Sequence, residues 1–421
     1  MSRRVLIDGL ADVVKAGDLV YLPGGVTVPV AFIDDLLRKP ERSRELRILT
    51  SIGPGIVNPL DIDRLDPSAV VTGLFMQPGL AQAQRSGRYR ALPFSYGGFV
   101  RHLQEDVDID LAVVQVAPPD AQGLCSLGPS VEFAPLAVRK ARRVLALVNR
   151  ELPRFRGAVS LPFRRFDHVC EIDAPLPVYR TDDDAPTRII AGHIASLVDD
   201  GSALQMGLGK VPSALASLLR ERRKLRLHSG MLSDGLIELA EAGALDADFK
   251  HTCCVLVGSE RLYRWAAEFD GLRVLGCEIT HDARTLAGID RFIAVNSALE
   301  VDLFGQCNLE LAEGRAVSGA GGAPDFARAA RLSRGGRSIV ALNASYTSHN
   351  RGQRSRVVPR LGDPGLASLS RLDIDHVITE FGIADLRGAS VHERAQAIIA
   401  VAAPEFRDDL QRAWAATAAR L

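Results

Sequence analysis

The stretch Gly17-Asp-Leu-Val-Tyr-Leu-Pro-Gly-Gly25 contains a short apolar strand that ends in paired glycines. A helical pattern follows over residues 30–37, and a second apolar strand, Leu46-Arg-Ile-Leu49, comes next. A strand, a helix and a strand in this order are typical of a parallel βαβ unit. Short continuous runs of Val, Ile and Leu predict strands buried on both faces, as in sheets that are covered by helices.

The same alternation continues to the end of the chain, so we predict an α/β fold of open, mostly parallel sheets. Further strands are predicted at 69–71, 111–114, 144–148, 203–206, 253–257, 292–295 and 376–379. Further helices are predicted at 188–198, 212–222, 234–242, 261–268 and 405–421.

Two pairs of segments indicate an internal duplication. The Gly17–Gly25 stretch is similar to Gly201-Ser-Ala-Leu-Gln-Met-Gly-Leu-Gly209, and a helix and a strand follow each of them. The segment Asp108-Ile-Asp-Leu-Ala-Val-Val-Gln-Val-Ala-Pro-Pro-Asp-Ala-Gln-Gly123 aligns without a gap with Asp373-Ile-Asp-His-Val-Ile-Thr-Glu-Phe-Gly-Ile-Ala-Asp-Leu-Arg-Gly388. Two pairs in the same order predict two similar α/β domains that face one another across a ligand cleft.

The domain boundary is predicted between residues 186 and 187. A chain of 421 residues is too long for one ordinary core. The segment Pro175–Pro186 holds three prolines and the consecutive Asp182, Asp183 and Asp184, which is typical of a linker. We therefore expect an N-terminal domain at 1–186 and a C-terminal domain at 187–421.

Composition excludes several classes of function. Lys plus Arg and Asp plus Glu both number 51, so no global basic field exists to hold nucleic acid or a membrane. The basic run at 220–226 fits a solvated helix end as well as a phosphate contact. No signal peptide and no membrane-spanning run is expected. The six cysteines form no C-x-x-C pair, so we expect buried thiols, no metal site and a cytoplasmic protein.

Three glycine loops are candidates for anion binding. Gly24-Gly25 and Gly207-Leu-Gly209 each follow a predicted strand and precede a helix, where backbone N–H groups favour an anion. Neither has the third glycine of a dinucleotide fingerprint. The densest cluster, Ser318-Gly-Ala-Gly-Gly322, can present successive N–H groups to an oxyanion or a phosphate, and it fits a tight turn before Asp325 equally well. His228 ends a predicted strand and fits a core residue better than a base.

These segments resemble the acetyl-CoA hydrolase / 4-hydroxybutyrate CoA-transferase family of class I CoA-transferases. The resemblance implies two α/β halves with an active site between them, and CoA bound mainly by the second half. It implies acyl-CoA and carboxylate substrates, no permanently bound cofactor and a homodimer. The matching motifs lie in order at 113–128, 204–212, 227–235, 295–306, 318–326 and 378–388.

The sequence departs from this family at the nucleophile. The family's glutamate sits in a His-Thr-Glu-Met type segment, and here that segment is His228-Ser-Gly230-Met, so the carboxylate is missing. Ala323 is a second departure, because many relatives carry a polar residue there. Three other carboxylates are candidates to replace the glutamate: Glu380, Glu132 and Glu278. A structural hydrogen-bonding role fits Glu380 better.

The resemblance also assigns the remaining site residues. The catalytic oxyanion role falls on the backbone of Gly321 and Gly322. No nucleophile can be carried over from the family, and Glu380 is the candidate catalytic carboxylate because it belongs to the duplicated strand. The CoA-binding wall is assigned to residues of three loops: Gly207, Gly209, Gly230, Ser318, Gly319, Gly321 and Gly322.

We therefore expect an enzyme that acts on acyl-CoA without a covalent glutamyl-CoA intermediate. It would transfer CoA between an acyl-CoA and a carboxylate, or hydrolyse the thioester. A non-catalytic CoA-binding protein and an acyl-exchange subunit of a larger complex remain open alternatives. The chain has no G-x-S-x-G segment, which disfavours a serine hydrolase of the nucleophile-elbow type.

Overall fold

The computed structural model describes residues 3–180, 184–348, 350–362 and 364–421. The chain forms two compact units, one of Met1–Arg180 with Lys250–Thr280 and the other of Thr181–Phe249 with His281–Leu421.

The chain leaves the first unit within the predicted linker 175–186, of which residues 181–183 lie outside the described residues. The division differs from the sequence expectation in one respect. Residues 250–280 were expected in the C-terminal domain, and they belong to the first unit.

The first unit is built on an eight-stranded parallel sheet in the order β1-β8-β7-β6-β2-β3-β4-β5. All six residues of β6 are buried, as the continuous apolar pattern predicts for a central parallel strand. The strands are β1 Arg3–Arg4, β2 Leu19–Leu22, β3 Arg47–Thr50, β4 Val70–Gly73, β5 Tyr89–Ala91, β6 Leu111–Val116, β7 Arg143–Asn149 and β8 His168–Ile172.

The second unit is built on a six-stranded sheet in the order β10-β9-β11-β12-β13-β14. The first five of these strands run parallel, and the edge strand β14 is antiparallel to β13. The strands are β9 Ala203–Gln205, β10 Arg226–Leu227, β11 Phe292–Ser297, β12 Arg337–Ala341, β13 His376–Thr379 and β14 Gly382–Asp385.

Helices and shorter strands complete both units. The α-helices of the first unit are Val30–Arg38, Ala81–Arg85, Tyr96–Glu105, Ala134–Lys140, Glu260–Glu268 and Cys277–Thr280. Those of the second unit are Ala185–Ala195, Lys210–Leu218, Gly235–Glu241, Ala283–Ala287, Ala323–Leu332, Val391–Ala400 and Arg407–Ala418. The 3-10 helices are Ile7–Val13, Gly25–Thr27, Pro40–Ser43, Ile62–Arg64, Pro78–Leu80, Phe163–Arg165 and Pro404–Phe406.

The shorter strands lie outside the two main sheets. Those of the first unit are Leu124–Ser126, Ser160–Pro162, His251–Cys253, Val255–Leu256 and Leu272–Val274. Those of the second unit are Met231–Leu232, Glu300–Asp302, Cys307–Asn308, Leu311–Ala312, Arg315–Ala316, Ser345–Ser348, Gly352–Ser355 and Val357–Val358.

The two sheets share one topology, which supports the duplication. The order β3-β2-β6-β7-β8 in the first sheet matches β10-β9-β11-β12-β13 in the second, strand for strand. A glycine with positive φ lies two residues before β2 and two residues before β9, with φ +80° at Gly17 and +70° at Gly201. The residue after each glycine accepts the same backbone hydrogen bond. The Arg47 N–H donates to the Asp18 carbonyl at 3.0 Å, and the Arg226 N–H donates to the Ser202 carbonyl at 3.0 Å.

The second predicted pair of repeats is not equivalent in this topology, because β6 is the third strand of the shared order and β13 is the fifth. The likeness comes from a shared local device instead. Asp110 Oδ2 accepts the Leu19 N–H at 2.9 Å, and Asp375 Oδ2 accepts the Ser338 N–H at 2.9 Å. Each aspartate therefore fastens the start of its own strand to a neighbouring strand.

Helix caps shift some predicted boundaries. The helix predicted from residue 188 begins at Ala185, because Asp184 accepts the Thr187 N–H at 3.0 Å and Pro186 occupies the first turn.

All six cysteines are buried and free of disulfides, as predicted. Among the described residues, no helix is long and apolar enough to cross a membrane.

Candidate active site

Four of the predicted site segments lie at the carboxyl edge of the second sheet. Gly207 follows β9, Gly230 follows β10 and Glu380 follows β13. The cluster that ends at Gly322 immediately precedes the helix that leads back to β12. Because carboxyl ends of parallel strands share one edge, the fold brings these segments to the side where open α/β sheets bind ligands.

The loop after β9 is open. A Cβ atom built on Gly207 or Gly209 would meet no atom within 4 Å. Gly209 has φ +118°, which side-chain-bearing residues rarely adopt, and it directly precedes the helix Lys210–Leu218. This geometry suits the wall of a ligand site.

A buried serine ties this loop to the loop after β10. Ser229 Oγ donates to the Met206 carbonyl at 2.6 Å and accepts the Met206 N–H at 3.3 Å. Ser229 is completely buried, so the exchange is shielded from water. The bonds fix Gly230 relative to the Gly207 loop.

The space beside Gly230 is bordered by His281 and Phe326. A Cβ atom at position 230 would lie 3.2 Å from His281 Nε2 and 3.4 Å from Phe326 Cε2. The two rings pack with centroids 4.7 Å apart. Even a methyl group at position 230 would lie closer to the imidazole than ordinary van der Waals contact, so the ring would have to shift by a few tenths of an ångström.

The His281 imidazole is neutral at physiological pH. Burial lowers its pKa to about 3, and the nearby His228 adds to this shift. The ring also faces Gly322, where an added Cβ would overlap it. Glycine at both positions thus creates the room that His281 occupies.

The Ser318–Gly322 cluster leaves backbone donors available. Gly321 has φ +56°, and Gly322 is the N-cap of the ten-residue helix Ala323–Leu332 without a side-chain cap. The N–H groups of Gly321 and Gly322 donate to no acceptor in the part of the chain that the structure describes. Ser318 Oγ makes only a long contact, 3.4 Å, with the Gly319 carbonyl. Available amides at a helix N-terminus are what an oxyanion requires.

Two of the three candidate carboxylates, Glu380 and Glu278, lie in different units. Glu380 Oε2 accepts the Ala344 N–H at 2.8 Å, a bond that fastens two loops of the second unit. Glu278 belongs to the first unit, where partial burial raises its pKa. Its carboxylate folds over Gly276, and its Oε2 is buried without a hydrogen-bond partner among the described residues.

Glu132 is the most unusual carboxyl group of the first unit. Its Oε2 accepts the Ser51 hydroxyl at 2.8 Å and the Gly24 N–H at 3.2 Å. Its backbone has φ +41°, which is strained for a residue with a side chain. Burial raises its pKa to about 7, although both hydrogen bonds oppose the shift. The residue titrates near neutrality.

The Gly24-Gly25 loop does not offer an open anion site, contrary to the sequence expectation. A Cβ on Gly24 would lie 3.1 Å from Ile52 N and closer still to the Ser51 carbonyl, and one on Gly25 would overlap the Ser130 hydroxyl. The Gly24 N–H donates to Glu132 and Ser51. The protein's own carboxyl group fills the place that a ligand anion would take.

Three residues around Gly230 and Glu132 were not predicted from the sequence: His281, Ser51 and Tyr21. Tyr21 lies in β2, and its hydroxyl is buried beside Ser51 and Glu132. Burial and then the Glu132 charge raise its pKa well above the usual range. No motif marks these residues, because the fold joins them from distant segments.

Two mainly parallel sheets of one strand order define an α/β protein with two similar open-sheet halves. Residues 5–178 match the model of the acetyl-CoA hydrolase/transferase N-terminal domain, and residues 258–414 match that of its C-terminal domain. The chain belongs to the acetyl-CoA hydrolase/transferase family, so the predicted family is confirmed. It is an enzyme of the CoA-transferase or acyl-CoA hydrolase kind. Gly230 lies between the two matched segments.

Named relatives and a solved structure agree with this assignment. The chain is 30% identical over 411 residues to a succinyl-CoA:cyclohexane-1-carboxylate CoA transferase of Geobacter metallireducens, covering 96% of this chain and 93% of that one. It is 32% identical over 348 residues to a 4-hydroxybutyrate coenzyme A transferase of Clostridium kluyveri, covering 80% of each. The crystal structure of RipA from Yersinia pestis matches with TM-score 0.87 and 27% identity over 98% and 96% of the chains.

Proposed function

We propose that this enzyme processes acyl-CoA thioesters by direct attack, without a covalent glutamyl-CoA intermediate. The attacking group is a carboxylate, which gives CoA transfer, or water, which gives hydrolysis. The observation that carries the proposal is the environment of Gly230: the residue has no carboxylate, and the neutral imidazole of His281 borders its side-chain space.

The glycine cluster supports the electrostatic half of the proposal. The N–H groups of Gly321 and Gly322 are available, and the following helix directs its positive dipole end toward the same place. Attack on a thioester carbonyl puts negative charge on the carbonyl oxygen. Removing one donor to such an oxyanion typically costs about 2.7–4 kcal/mol in the barrier.

Transfer then takes two balanced steps. The acceptor carboxylate attacks the thioester carbonyl, the C–S bond breaks, and a mixed anhydride and CoA thiolate form. The thiolate next attacks the acceptor's carbonyl, the anhydride C–O bond breaks, and the donor acid leaves as its carboxylate. In hydrolysis, water attacks instead, and the products are a carboxylate, CoA thiol and one proton.

Initial-rate kinetics test the route. With an acyl-CoA and a carboxylate varied together, direct attack in a ternary complex gives intersecting double-reciprocal lines. Free thiol released without an acceptor measures hydrolysis separately. Parallel lines, together with a borohydride-trapped glutamyl adduct found by peptide mass spectrometry, would refute the proposal. Tight acyl-CoA binding with no turnover toward any acceptor would favour the non-catalytic CoA-binding alternative.

A further inference from the structure

A cavity of about 380 Å³ opens at the opposite, amino edge of the second sheet. Its walls come from the end of the helix Ala323–Leu332, from the segment before β13, and from the turn between β14 and the helix Val391–Ala400. Four arginines line it above an apolar floor that includes Phe304 and Leu386: Arg331, Arg371, Arg387 and Arg394.

Two of these arginines are neutralised by carboxylates. Arg387 pairs with Asp385 through two hydrogen bonds of 3.0 and 2.8 Å. Arg331 lies 3.4 Å from Asp375. The positive charge of the cavity therefore depends on the other two guanidinium groups.

Arg371 has no carboxylate within 4.0 Å and no hydrogen-bond acceptor for its side chain among the described residues. Its guanidinium lies 5.9 Å from the centroid of the Phe304 ring. The adjacent Leu372 is 68% exposed, so the mouth of the cavity is open to solvent. The Arg371 donors are thus available to an incoming ligand.

Arg394 is held in place by carbonyl groups rather than by an acid. Its guanidinium donates to the carbonyls of Arg371 at 2.9 Å, Ile374 at 3.0 Å and Leu386 at 3.3 Å. Burial, and then the charges of Arg331 and Arg371, lower its pKa. Like charges in a partly desolvated place repel one another, and a bound anion relieves that repulsion.

The surroundings favour a multiply charged anion with an apolar body. None of the lining residues is acidic. The nearby Glu393 is engaged in a capping box, where its carboxylate accepts the Ser390 N–H at 2.7 Å. Guanidinium groups match phosphate geometry through paired hydrogen bonds. The volume falls in the range of small-molecule sites.

We propose that this cavity binds a phosphate-bearing small molecule of nucleotide size, at a site separate from the thioester site. Two uncompensated guanidinium groups suit a di-anionic phosphate better than a mono-anionic carboxylate. The apolar floor receives the organic part of the ligand. This inference does not depend on the proposed function, because it rests on a different edge of the sheet.

Isothermal titration of the full chain with ADP tests the proposal, with inorganic pyrophosphate and hexanoate as further probes. ADP and pyrophosphate are expected to bind and hexanoate is not. Arg371→Ala should weaken ADP binding by roughly tenfold to a hundredfold, because it removes charge-assisted hydrogen bonds. Arg371→Lys should recover part of the loss. Binding should also weaken as salt rises.

The matched control is Arg334→Ala, which removes an exposed arginine that pairs with Asp290 in a different basic pocket of the same unit. This variant should bind ADP as the parent does. The proposal is overturned if Arg371→Ala binds ADP unchanged, if Arg334→Ala alone loses binding, or if no phosphate probe binds at millimolar concentration.

Discussion

The carboxyl edges of the two sheets differ in whether the protein itself supplies an acceptor for the loop amides. In the first sheet, the buried carboxyl of Glu132 takes the Gly24 N–H and the Ser51 hydroxyl. In the second, the amides of Gly321 and Gly322 have no acceptor in the described chain. The strand order is the same, so topology does not cause the difference.

The comparison shows how a duplicated scaffold acquires one open anion site. At the first edge, the buried carboxyl group of Glu132 accepts the hydrogen bond of the loop amide, and its pKa lies near neutrality. At the second edge, glycines at 230 and 322 leave space that His281 borders. We therefore expect ligand chemistry at the second edge and an effect on stability at the first.

The largest expected effect comes from Gly322→Ala. The backbone φ of −86° accepts alanine, but the new Cβ would overlap His281 and lie 3.1 Å from Phe326. Displacement of the amide should lower acyl-CoA turnover by about 100- to 1000-fold, which steady-state kinetics would measure. Gly192→Ala is the matched control, because its Cβ meets nothing within 4 Å. Full activity of a folded Gly322→Ala variant would contradict the oxyanion role assigned to the Gly322 amide.

The next effect should come from restoring a carboxylate at position 230. Gly230→Glu alone crowds His281, whereas Gly230→Glu with His281→Ala leaves room for the new side chain. A carboxylate displaced from its reacting position reacts more slowly, so the double variant should show ping-pong CoA transfer about tenfold faster than the single variant or more. His281→Ala alone serves as control. Equal rates for the single and double variants would contradict the role given to His281.

The pH dependence of stability should distinguish the two edges. The pKa of Glu132 rises from an ordinary 4.5 to about 7 on folding, so the folded state keeps the proton to higher pH. The contribution of Glu132 to stability is then fully present below pH 4.5 and falls by about 3 kcal/mol as the pH rises to 7. Glu132→Gln should abolish this slope in urea unfolding of the first unit. The same slope in both proteins would count against the buried-acid interpretation.

The smallest effect is expected for Ser51→Ala. It removes one of two donors to Glu132 Oε2 and leaves only the Gly24 N–H, so the free energy of unfolding should fall by about 1–2 kcal/mol. The pKa of Glu132 should rise further, because the hydroxyl favours the charged form. Infrared titration of the carboxyl band would measure the shift. Ser130→Ala is a control without a bond to the Glu132 carboxylate.

Sequence periodicity predicted the strands well, because parallel buried strands are continuously apolar. The strands at 19–22 and 376–379 match the predicted bounds, while the strand predicted at 253–257 is divided at Cys254. The Asp-Ile-Asp likeness was misleading as a guide to topology. It marks a hydrogen bond to an aspartate that fastens the start of a strand to its neighbour, and this bond occurs at β6 in the first sheet and at β13 in the second.

The sequence by itself determined the α/β class, the duplication, the family and the absence of a side chain at position 230. These properties depend on hydrophobic period and on the order of motifs, which are local along the chain. Only the tertiary structure decided that Glu132 fills the first glycine loop and that His281 borders Gly230. Both contacts join residues far apart in sequence, and the burial that shifts their pKa values exists only after the sheets have formed.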